Sequence, residues 1–400
     1  MPSGALEGLV VVDFSHYLAG PYCTRLLAAL GAEVIKIEKP GTGDGARRLG
    51  PFPNDVPHPE RSGVFLYLNA NKKSITLDLK TAVGVKIAKE LIASADIVVE
   101  NFRPGVMDRL GLGYETLRAI NPRVVMASIS NFGQTGPYRD LQATEIVEYA
   151  LAGLLYITGE PTREPLKAGG SLAQYIAGQT AMIGIMMALF DADQSGQGQQ
   201  VDVSIMEAAS DHIESSLAAI GYGGAPSKRA GLRHQSHPWH PYPCRDGWAA
   251  IIAGPPRNWP RIAELTGEPR LADPKYATPF QRQQPQARDE IDALLLPWLL
   301  EHDKQEIYHQ GQAMGFAFGY VATTEDLFKS PQLRARDFFV EIDHPATGPL
   351  MYPGAPYQMS ESTWRWDHAP LLGEHNEEVL CGRLGYTRED LTRLRQAGTV

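Results

Sequence analysis

Residues 9–15, Leu-Val-Val-Val-Asp-Phe-Ser, form a nearly continuous apolar run, which predicts a strand buried on both faces. A turn at Gly20 and Pro21 follows and leads into a helical segment that ends near Gly31. Residues 34–38, Val-Ile-Lys-Ile-Glu, predict the next strand. Because a strand–helix–strand unit of this kind joins parallel strands by a right-handed crossover, we expect a parallel sheet to begin here.

The same alternation continues along the chain. The sequence predicts, in order, a helix over 81–95, a strand over 96–100, a helix over 106–117 and a strand over 123–129. This order is typical of an α/β fold with a doubly wound, Rossmann-like sheet. No G-x-G-x-x-G pattern opens these helices, so the topology comes without the dinucleotide-binding sequence. Residues 41–63, rich in Gly, Pro and charge, predict a long surface loop.

Length, composition and charge narrow the functional classes. The 400 residues suffice for two domains, and 43% hydrophobic and 21% charged residues are typical of a soluble globular protein. A formal charge of −9 argues against non-specific nucleic-acid binding. The N-terminus shows no secretory signal, the apolar run 181–190 is too short to span a bilayer, and the three cysteines are widely spaced. We therefore expect a cytoplasmic protein with neither nucleic acid nor membrane as a partner.

A second stretch bears on the chemistry. Residues 165–178, Pro-Leu-Lys-Ala-Gly-Gly-Ser-Leu-Ala-Gln-Tyr-Ile-Ala-Gly, place two glycines before Ser171 and an apolar run after it. The pattern predicts a buried helix that starts at Ser171, with Ser171 and Gln174 in a capping box. A carboxylate at position 174 would lie in the first turn, where free N–H groups and the helix dipole favour an ionised nucleophile. This chain has an amide there, and capping alone explains its local pattern.

Seven stretches spread over essentially the whole chain carry a family resemblance: Asp13–Tyr22, Gly31–Gly41, Asn69–Lys80, Glu100–Arg109, Phe132–Tyr138, Asp326–Asp343 and Pro370–His375. Together they resemble the class III CoA-transferases of the CaiB/BaiF type. This family includes formyl-CoA transferase, the carnitine and bile-acid CoA-transferases and α-methylacyl-CoA racemase.

The resemblance implies a large Rossmann-like domain built from both chain ends, a smaller inserted domain, and a dimer of two interlocked ring-shaped subunits. A shift in composition near Gly221, toward Gly, Pro, His and aromatic residues, suits an inserted domain. We therefore expect four segments: the first part of the large domain over 1–200, a linker helix over 201–225, the small domain over 226–325, and a return to the large domain over 326–400.

The resemblance also implies that the substrate is coenzyme A as an acyl thioester, with no permanently bound cofactor. It places His16, Tyr17 and Leu18 beside the thioester and Glu145 near the reacting carbonyl. The nucleotide end of coenzyme A is assigned to four residues: Lys39, Lys80, Asn101 and Arg109. Lysine and arginine pair with phosphates, and residues after buried strands lie at the carboxyl edge of the sheet, where α/β proteins bind ligands. The plainer alternatives are surface lysines, a packed histidine and a strand-ending asparagine.

Position 174 conflicts with both branches of the family. In the transferases, a carboxylate at the position matching Gln174 attacks the acyl-CoA carbonyl and forms a mixed anhydride. In the racemases, a histidine and an aspartate carry protons, and their positions match Thr144 and again Gln174. The chain therefore lacks the nucleophile of one branch and both proton carriers of the other.

Three hypotheses follow. In the first, the chain is a CoA-transferase that uses another carboxylate, Glu145 or Glu148, which share a helical face. In the second, it is a CoA-thioester isomerase or racemase, lyase or hydratase in which Glu145 or His16 moves a proton and Gln174 orients the carbonyl. In the third, it is a catalytically silent subunit paired with a related Asp-bearing chain. The partners are an acyl-CoA, a carboxylic acid and a second subunit, in a homodimer or a heteromer.

Two further groups of residues have competing interpretations. Gly221–Pro226 can supply N–H groups to an oxyanion or serve as a hinge. His234, His237 and His240 are spaced like metal ligands, but the prolines among them argue against a helix that would bring them together. A loop lining the acyl pocket, with Trp239 and Tyr242 against an apolar acyl group, is the better explanation, and we expect no metal.

Overall fold

The structure, a computed structural model, describes residues 4–224, 228–229, 231, 237–252 and 258–400, with the side chains of 214 and 215 outside the description. The chain divides into two compact units. Unit 1 comprises Met1–Leu154, Lys167–Gly224 and Ala335–Val400, and unit 2 comprises Leu155–Leu166 and Ala225–Arg334. Residues 155–166, assigned from sequence to the large domain, fall in unit 2 because their backbone carbonyls accept hydrogen bonds from residues 229 and 231. Residues 326–334 also fall in unit 2 rather than in the large domain.

The strands are numbered in chain order. They are β1 (Val10–Asp13), β2 (Glu33–Glu38), β3 (Lys73–Thr76), β4 (Ile97–Glu100), β5 (Val125–Ser130), β6 (Gln200–Ser204), β7 (Trp239–Cys244), β8 (Gly247–Ile252), β9 (Gly319–Tyr320), β10 (Phe339–His344) and β11 (Gly348–Pro353).

The α-helices are α1 (Ala19–Ala29), α2 (Gly63–Leu68), α3 (Ala82–Ile92), α4 (Val106–Arg109), α5 (Tyr114–Ile120), α6 (Glu145–Leu151), α7 (Leu154–Ile157), α8 (Leu172–Ser195), α9 (Ile205–Ser210), α10 (Glu214–Gly223), α11 (Arg261–Thr266), α12 (Pro279–Arg282), α13 (Pro285–Glu301), α14 (Lys304–Ala313), α15 (Thr324–Lys329), α16 (Pro331–Ala335) and α17 (Arg388–Gln396). Short 3₁₀ helices lie at Gly45–Arg48, Pro53–Asp55, Asp211–Ile213, Pro269–Ala272 and Pro274–Tyr276, and a π-helical segment lies at Glu378–Arg383.

Unit 1 is built on a six-stranded parallel sheet in the order β3-β2-β1-β4-β5-β6. Successive residues of β1 point to opposite faces of this sheet. Val11 packs on the side of α1, α8 and α9, whereas Val12 packs on the side of α3, α5 and α17. The sheet is therefore buried on both faces, and the predicted parallel α/β fold is confirmed. The strand order reverses between β1 and β4, and ligands bind at such a switch point in open α/β sheets.

Three elements differ from the sequence prediction. β3, a short edge strand with a lysine and two hydroxyl residues, has too few apolar residues to be recognised as a strand. The predicted helix over 106–117 is broken into α4 and α5, because the chain turns at Gly111 with φ 70°. The predicted surface loop 41–63 is partly interior, since Asp44 and Arg47 are fully buried within it.

Helix α8 packs closely on α1. A side chain at Gly178 would meet the carbonyl oxygen of Ala19 at 2.6 Å, so only glycine allows this approach. The predicted capping box is wrong: Ser171 is the N-cap residue, but its side chain makes no capping hydrogen bond. Among the described residues, α8 is also the one helix long and apolar enough to span a membrane by length and composition. The apolar run 181–190, which was predicted to be too short to span a bilayer, is only part of this longer helix. Its buried alanines belong to the core of unit 1.

Unit 2 has its own core. An antiparallel sheet in the order β7-β8-β9 packs against α13 and α14. In unit 1, the final residues of the chain add the antiparallel pair β10–β11 and helix α17.

Candidate functional site

Two loops meet at the switch point of the parallel sheet. His16 follows β1, and Asn101 follows β4, which is the neighbour of β1 in the sheet. The backbone N–H of His16 donates to Asn101 Oδ1 at 2.7 Å, and Asn101 Nδ2 donates to the carbonyl of His16 at 2.7 Å. Asn101 therefore fixes the backbone of the loop after β1, in addition to ending its own strand.

Asp44 holds the same loop from the other side. Its Oδ1 accepts the backbone N–H of Tyr17 at 3.0 Å and lies 3.5 Å from His16 Nδ1, and its Oδ2 lies 2.9 Å from Lys36 Nζ. Tyr17 has φ 66°, a conformation that few non-glycine residues adopt. Burial alone would raise the pKa of Asp44, but Lys36 and His16 more than offset this and hold it far below its usual range.

The first cleft, of about 260 Å³, opens at the carboxyl ends of β1, β2 and β3. Three residues assigned to coenzyme A line it: His16, Lys39 and Lys80. The other walls are mainly apolar and include Phe14, Ile37, Leu77 and Phe102, with the carboxylate residues Glu38 and Asp78 among them. An apolar slot with two lysines at its rim suits a flat heteroaromatic group that carries phosphates.

The second cleft, of about 480 Å³, adjoins the first through Phe102, which lines both. It contains the other two residues assigned to the nucleotide end, Asn101 and Arg109, together with Thr144. Two arginines that sequence reasoning did not single out, Arg103 and Arg139, line it as well. Three guanidinium groups around one cleft make it a strong site for an anionic ligand.

Of the remaining candidates, Tyr17 and Leu18 lie at the entry to α1. Leu18 is the N-cap residue of that helix, and Tyr17 is 51% exposed. A side chain at Gly45 would collide with the Tyr17 ring, so the ring lies directly on this glycine. Both residues thus belong to the loop after β1 that Asp44 and Asn101 hold.

Two carboxylates surround the start of α8. Glu145, the first residue of α6, accepts the backbone N–H of Ala173 at Oε1 (3.1 Å) and that of Gln174 at Oε2 (3.2 Å). Lys167 Nζ lies 3.8 Å from its Oε1. Glu145 therefore supplies the capping acceptor that Ser171 was expected to supply, and it occupies the anion-stabilising end of the helix.

Glu148 lies one turn further along α6 and is 0% exposed. Gln174 Nε2 donates to its Oε2 at 2.7 Å. In the orientation of the Asn131 side-chain amide that gives both its nitrogen and its oxygen a partner, the nitrogen donates to Glu148 Oε1 at 2.9 Å. The oxygen then accepts from the N–H of Ala143 at 3.0 Å. Burial raises the pKa of Glu148 to about 7; the nearby Glu145 acts in the same direction and the hydrogen bond from Gln174 against it.

The histidines of unit 2 form a separate cluster. His234 lies outside the described residues, but His237 Nε2 and His240 Nε2 lie 3.0 and 3.9 Å from Asp292 Oδ1. Two of the three therefore converge, with His240 on β7 and His237 just before it. The hydroxyl of Tyr242 donates to the same oxygen at 2.5 Å. Tyr242 is therefore buried, and the ligand atoms of His237, His240 and Asp292 lie within 4.8 Å of one another, a spacing that could hold a metal ion.

The expected oxyanion loop Gly221–Pro226 is only partly described. Gly221 and Gly223 are the last residues of α10 around Tyr222, and Gly224 is its C-cap, so these N–H groups belong to a helix end rather than to a loop. Ala225 and Pro226 lie outside the described residues.

Comparison with known proteins finds relatives over almost the whole chain. The sequence model described as CoA-transferase family III matches residues 6–376. The chain is 36% identical, over 98% of both chains, to the succinyl-CoA–D-citramalate CoA-transferase of Chloroflexus aurantiacus. It is 34% identical to the succinyl-CoA–L-malate CoA-transferase alpha subunit of the same organism, over 98% of this chain and 91% of that one. A crystal structure of a CAIB/BAIF family protein from Brucella suis matches with a TM-score of 0.87 at 30% identity, over 96% of this chain and 100% of that one.

Proposed function

The chain belongs to CoA-transferase family III, and we propose that it transfers coenzyme A from an acyl-CoA to a free carboxylic acid through an acyl intermediate on the enzyme. One observation carries the proposal. Although position 174 has an amide, two carboxylates, Glu145 and Glu148, lie within hydrogen-bond distance of residue 174 at the start of α8. The chemical group that the reaction needs is therefore present at the site, supplied by α6 instead of α8.

We propose that coenzyme A binds along the carboxyl edge of the parallel sheet. The apolar first cleft suits the adenine ring, with Lys39 and Lys80 beside phosphates. The thioester then lies near His16, Tyr17 and Leu18. The second cleft, lined by arginines and by Asn131, suits the acyl group and its carboxylate; this moves Arg109 and Asn101 to the acyl end, whereas the resemblance placed them at the nucleotide end. No permanently bound cofactor or metal takes part in this scheme.

The acids we propose are short dicarboxylic acids. The relatives named above act on succinyl-CoA and on citramalate or malate. In this chain, Arg103, Arg109 and Arg139 line the second cleft, and Lys167 stands at the start of α8, so cations are available for a second carboxylate.

We further propose a dimer of interlocked subunits in the cytoplasm, without nucleic acid or membrane. Helix α8 supports this, because Ile183, Met187 and Phe190 form a stripe on one of its faces and are 61, 64 and 68% exposed in the single subunit. A second subunit would cover such a stripe. Because one relative is named an alpha subunit, a heteromer with a related chain is the alternative to a homodimer.

The test is a transfer assay with the purified chain. Succinyl-CoA is incubated with D-citramalate, L-malate or glutarate, and new acyl-CoA thioesters are separated by chromatography and identified by mass spectrometry. We expect a new thioester with at least one acid. Failure with every acid would refute transferase activity of the chain alone. Proton exchange into deuterated water would then favour the isomerase or racemase hypothesis, and activity only with an added related chain would favour the heteromer.

Replacing Arg109 with alanine is expected to raise the KM for succinyl-CoA by roughly tenfold to a hundredfold, the loss expected for a charge-assisted hydrogen bond to an anionic group. The kcat should change much less, because Arg109 lies among the groups assigned to binding. Arg118, exposed on α5, is the matched control, and Arg118→Ala should leave KM unchanged. Steady-state kinetics measures both constants; equal KM values for the two variants would contradict a role of Arg109 in binding.

A further inference from the structure

We propose that Glu148 is the nucleophile of the transfer reaction and that Gln174 is the residue that positions it. This inference rests on the proposed function and assigns its central step to one residue. The supporting geometry is a carboxylate whose two oxygens each accept one amide hydrogen bond, from Gln174 Nε2 at 2.7 Å and from Asn131 at 2.9 Å. Among the described residues, the structure pairs no cation with Glu148.

Gln174 cannot take the nucleophilic role itself. Its amide nitrogen is not basic, and its side chain is used as a hydrogen-bond donor to Glu148. The hydrogen bond joins the side-chain amide of Gln174 directly to the side-chain carboxylate of Glu148. The structure therefore places a carboxylate on α6 within one hydrogen bond of position 174 on α8, where the resemblance implies the nucleophile of the transferases.

Glu145 is the less suitable of the two glutamates. Both of its oxygens accept N–H groups at the start of α8, and the ammonium of Lys167 stands nearby. Both oxygens of Glu145 are thus occupied by these contacts, and it would have to give them up before it could attack a carbonyl carbon. Removing it from this position would also leave the N–H groups of residues 173 and 174 without their acceptor. Glu145 is therefore a structural cap for α8 and sets the position of Gln174.

Glu148 is close to the proposed acyl site, although it is covered in the single subunit. Asn131, which donates to Glu148, also lines the second cleft together with Asn101, Arg109 and Thr144. An acyl carbonyl bound next to Asn131 is thus separated from the Glu148 carboxylate by one side chain. The attack therefore requires a rotamer change that moves the Glu148 carboxylate past Asn131, to the reacting distance of about 3–3.5 Å from the carbonyl carbon.

The chemistry is balanced without any further reagent. The Glu148 carboxylate attacks the acyl carbonyl carbon, the C–S bond breaks, and coenzyme A leaves as a thiolate from a glutamyl–acyl anhydride. The thiolate attacks the glutamyl carbonyl, which releases the donor acid and forms a glutamyl thioester. The acceptor carboxylate attacks this thioester and forms a second anhydride and thiolate. Attack of the thiolate on the acceptor-derived carbonyl then gives the new acyl-CoA and restores Glu148.

The decisive experiment exchanges the two side chains. Glu148→Gln should lower kcat by about 10³-fold or more, as loss of a nucleophile does. The double variant Glu148→Gln with Gln174→Asp returns a carboxylate to α8 and an amide to α6, and it should regain at least about tenfold over Glu148→Gln. Glu389→Gln, an exposed site on α17, is the matched control and should not change kcat. A role limited to packing would not produce rescue by the exchange.

Trapping locates the nucleophile in the unmodified chain. Hydroxylamine added during turnover with succinyl-CoA converts a glutamyl thioester into a hydroxamate, which peptide mass spectrometry assigns to one residue. A hydroxamate on Glu148 supports the proposal even if Glu148→Gln does not fold. A hydroxamate on Glu145, or full kcat in Glu148→Gln, overturns it while the proposed transfer function stands. A wild-type chain that transfers coenzyme A to no acid, alone or with a related subunit, refutes the proposed function first.

Discussion

Replacing Asp44 with asparagine is expected to lower the free energy of unfolding by about 3–5 kcal/mol, because the buried Lys36 ammonium loses its nearest carboxylate. Asp44 and Lys36 are both 0% exposed and 2.9 Å apart. The asparagine can still accept the N–H groups of Tyr17 and Ala46, so the lost quantity is the negative charge next to the Lys36 ammonium. Chemical denaturation at pH 7 measures the effect.

Two further variants make this expectation specific. Asp55→Asn, at an exposed position of the same segment, should change stability by less than about 0.5 kcal/mol. The double variant Asp44→Asn with Lys36→Met removes both charges, and it should recover much of the loss because no unpaired charge is left buried. A loss in Asp44→Asn no greater than in Asp55→Asn would show that the pair is not buried in solution.

Asp44 also illustrates what sequence reasoning could not reach in the site. His16 and Asn101 were named from the family resemblance, and the sequence supported Asn101 because it follows a predicted strand at the carboxyl edge of the sheet. Asp44 lies in a segment rich in Gly and Pro, for which an exposed loop was the reasonable prediction. Asp44 can be buried because Lys36 on β2 is buried as well, although lysine is usually exposed. Only the tertiary structure shows that this aspartate holds the loop after β1.

The start of α8 shows the same limit at the level of a single helix. The helix itself was predictable, since Gly169 and Gly170 precede a long apolar run. The capping box was wrong because Glu145, 28 residues before Ala173, takes the N–H groups that a local cap would take. A contact between two helices therefore replaced a contact within one turn. For the same reason, sequence reasoning could name Glu145 and Glu148 as alternatives but could not choose between them.

The fold was easier to predict from the sequence than the site was. Four of the six parallel strands carry apolar runs that predict buried strands, and their order along the chain identifies the doubly wound sheet. The two edge strands are the exceptions. β3 has mixed polarity, and β6, which overlaps the segment predicted as a linker helix over 201–225, pairs with β5 about 70 residues earlier. Edge strands bury less apolar surface, so their sequences need fewer apolar residues and are harder to recognise as strands.

The pH dependence of transfer is expected to follow the ionisation of Glu148. Since the carboxylate is the reactive form and the pKa of Glu148 is raised to about 7, kcat/KM for succinyl-CoA should rise about tenfold per pH unit up to pH 7 and then level off. Glu145 on the same helix acts on the charge of Glu148, Lys167 lies beside Glu145, and the neighbouring helix α9 carries the exposed Glu207. In the double variant with Asp at 174, the rise should move to lower pH, because aspartate ordinarily ionises near pH 4.

Stability should change with pH in the opposite sense. A raised carboxyl pKa means that the folded chain binds the proton more tightly than the unfolded chain, in which glutamate ionises near pH 4.3. The favourable contribution of protonated Glu148 is complete below this value and is lost as pH rises through about 7. The stability of the wild type relative to Glu148→Gln should therefore fall between pH 5 and 8 while kcat/KM rises. A flat activity profile with a flat stability difference would show that Glu148 does not titrate in this range, whereas opposite slopes would tie the same proton to both folding and catalysis.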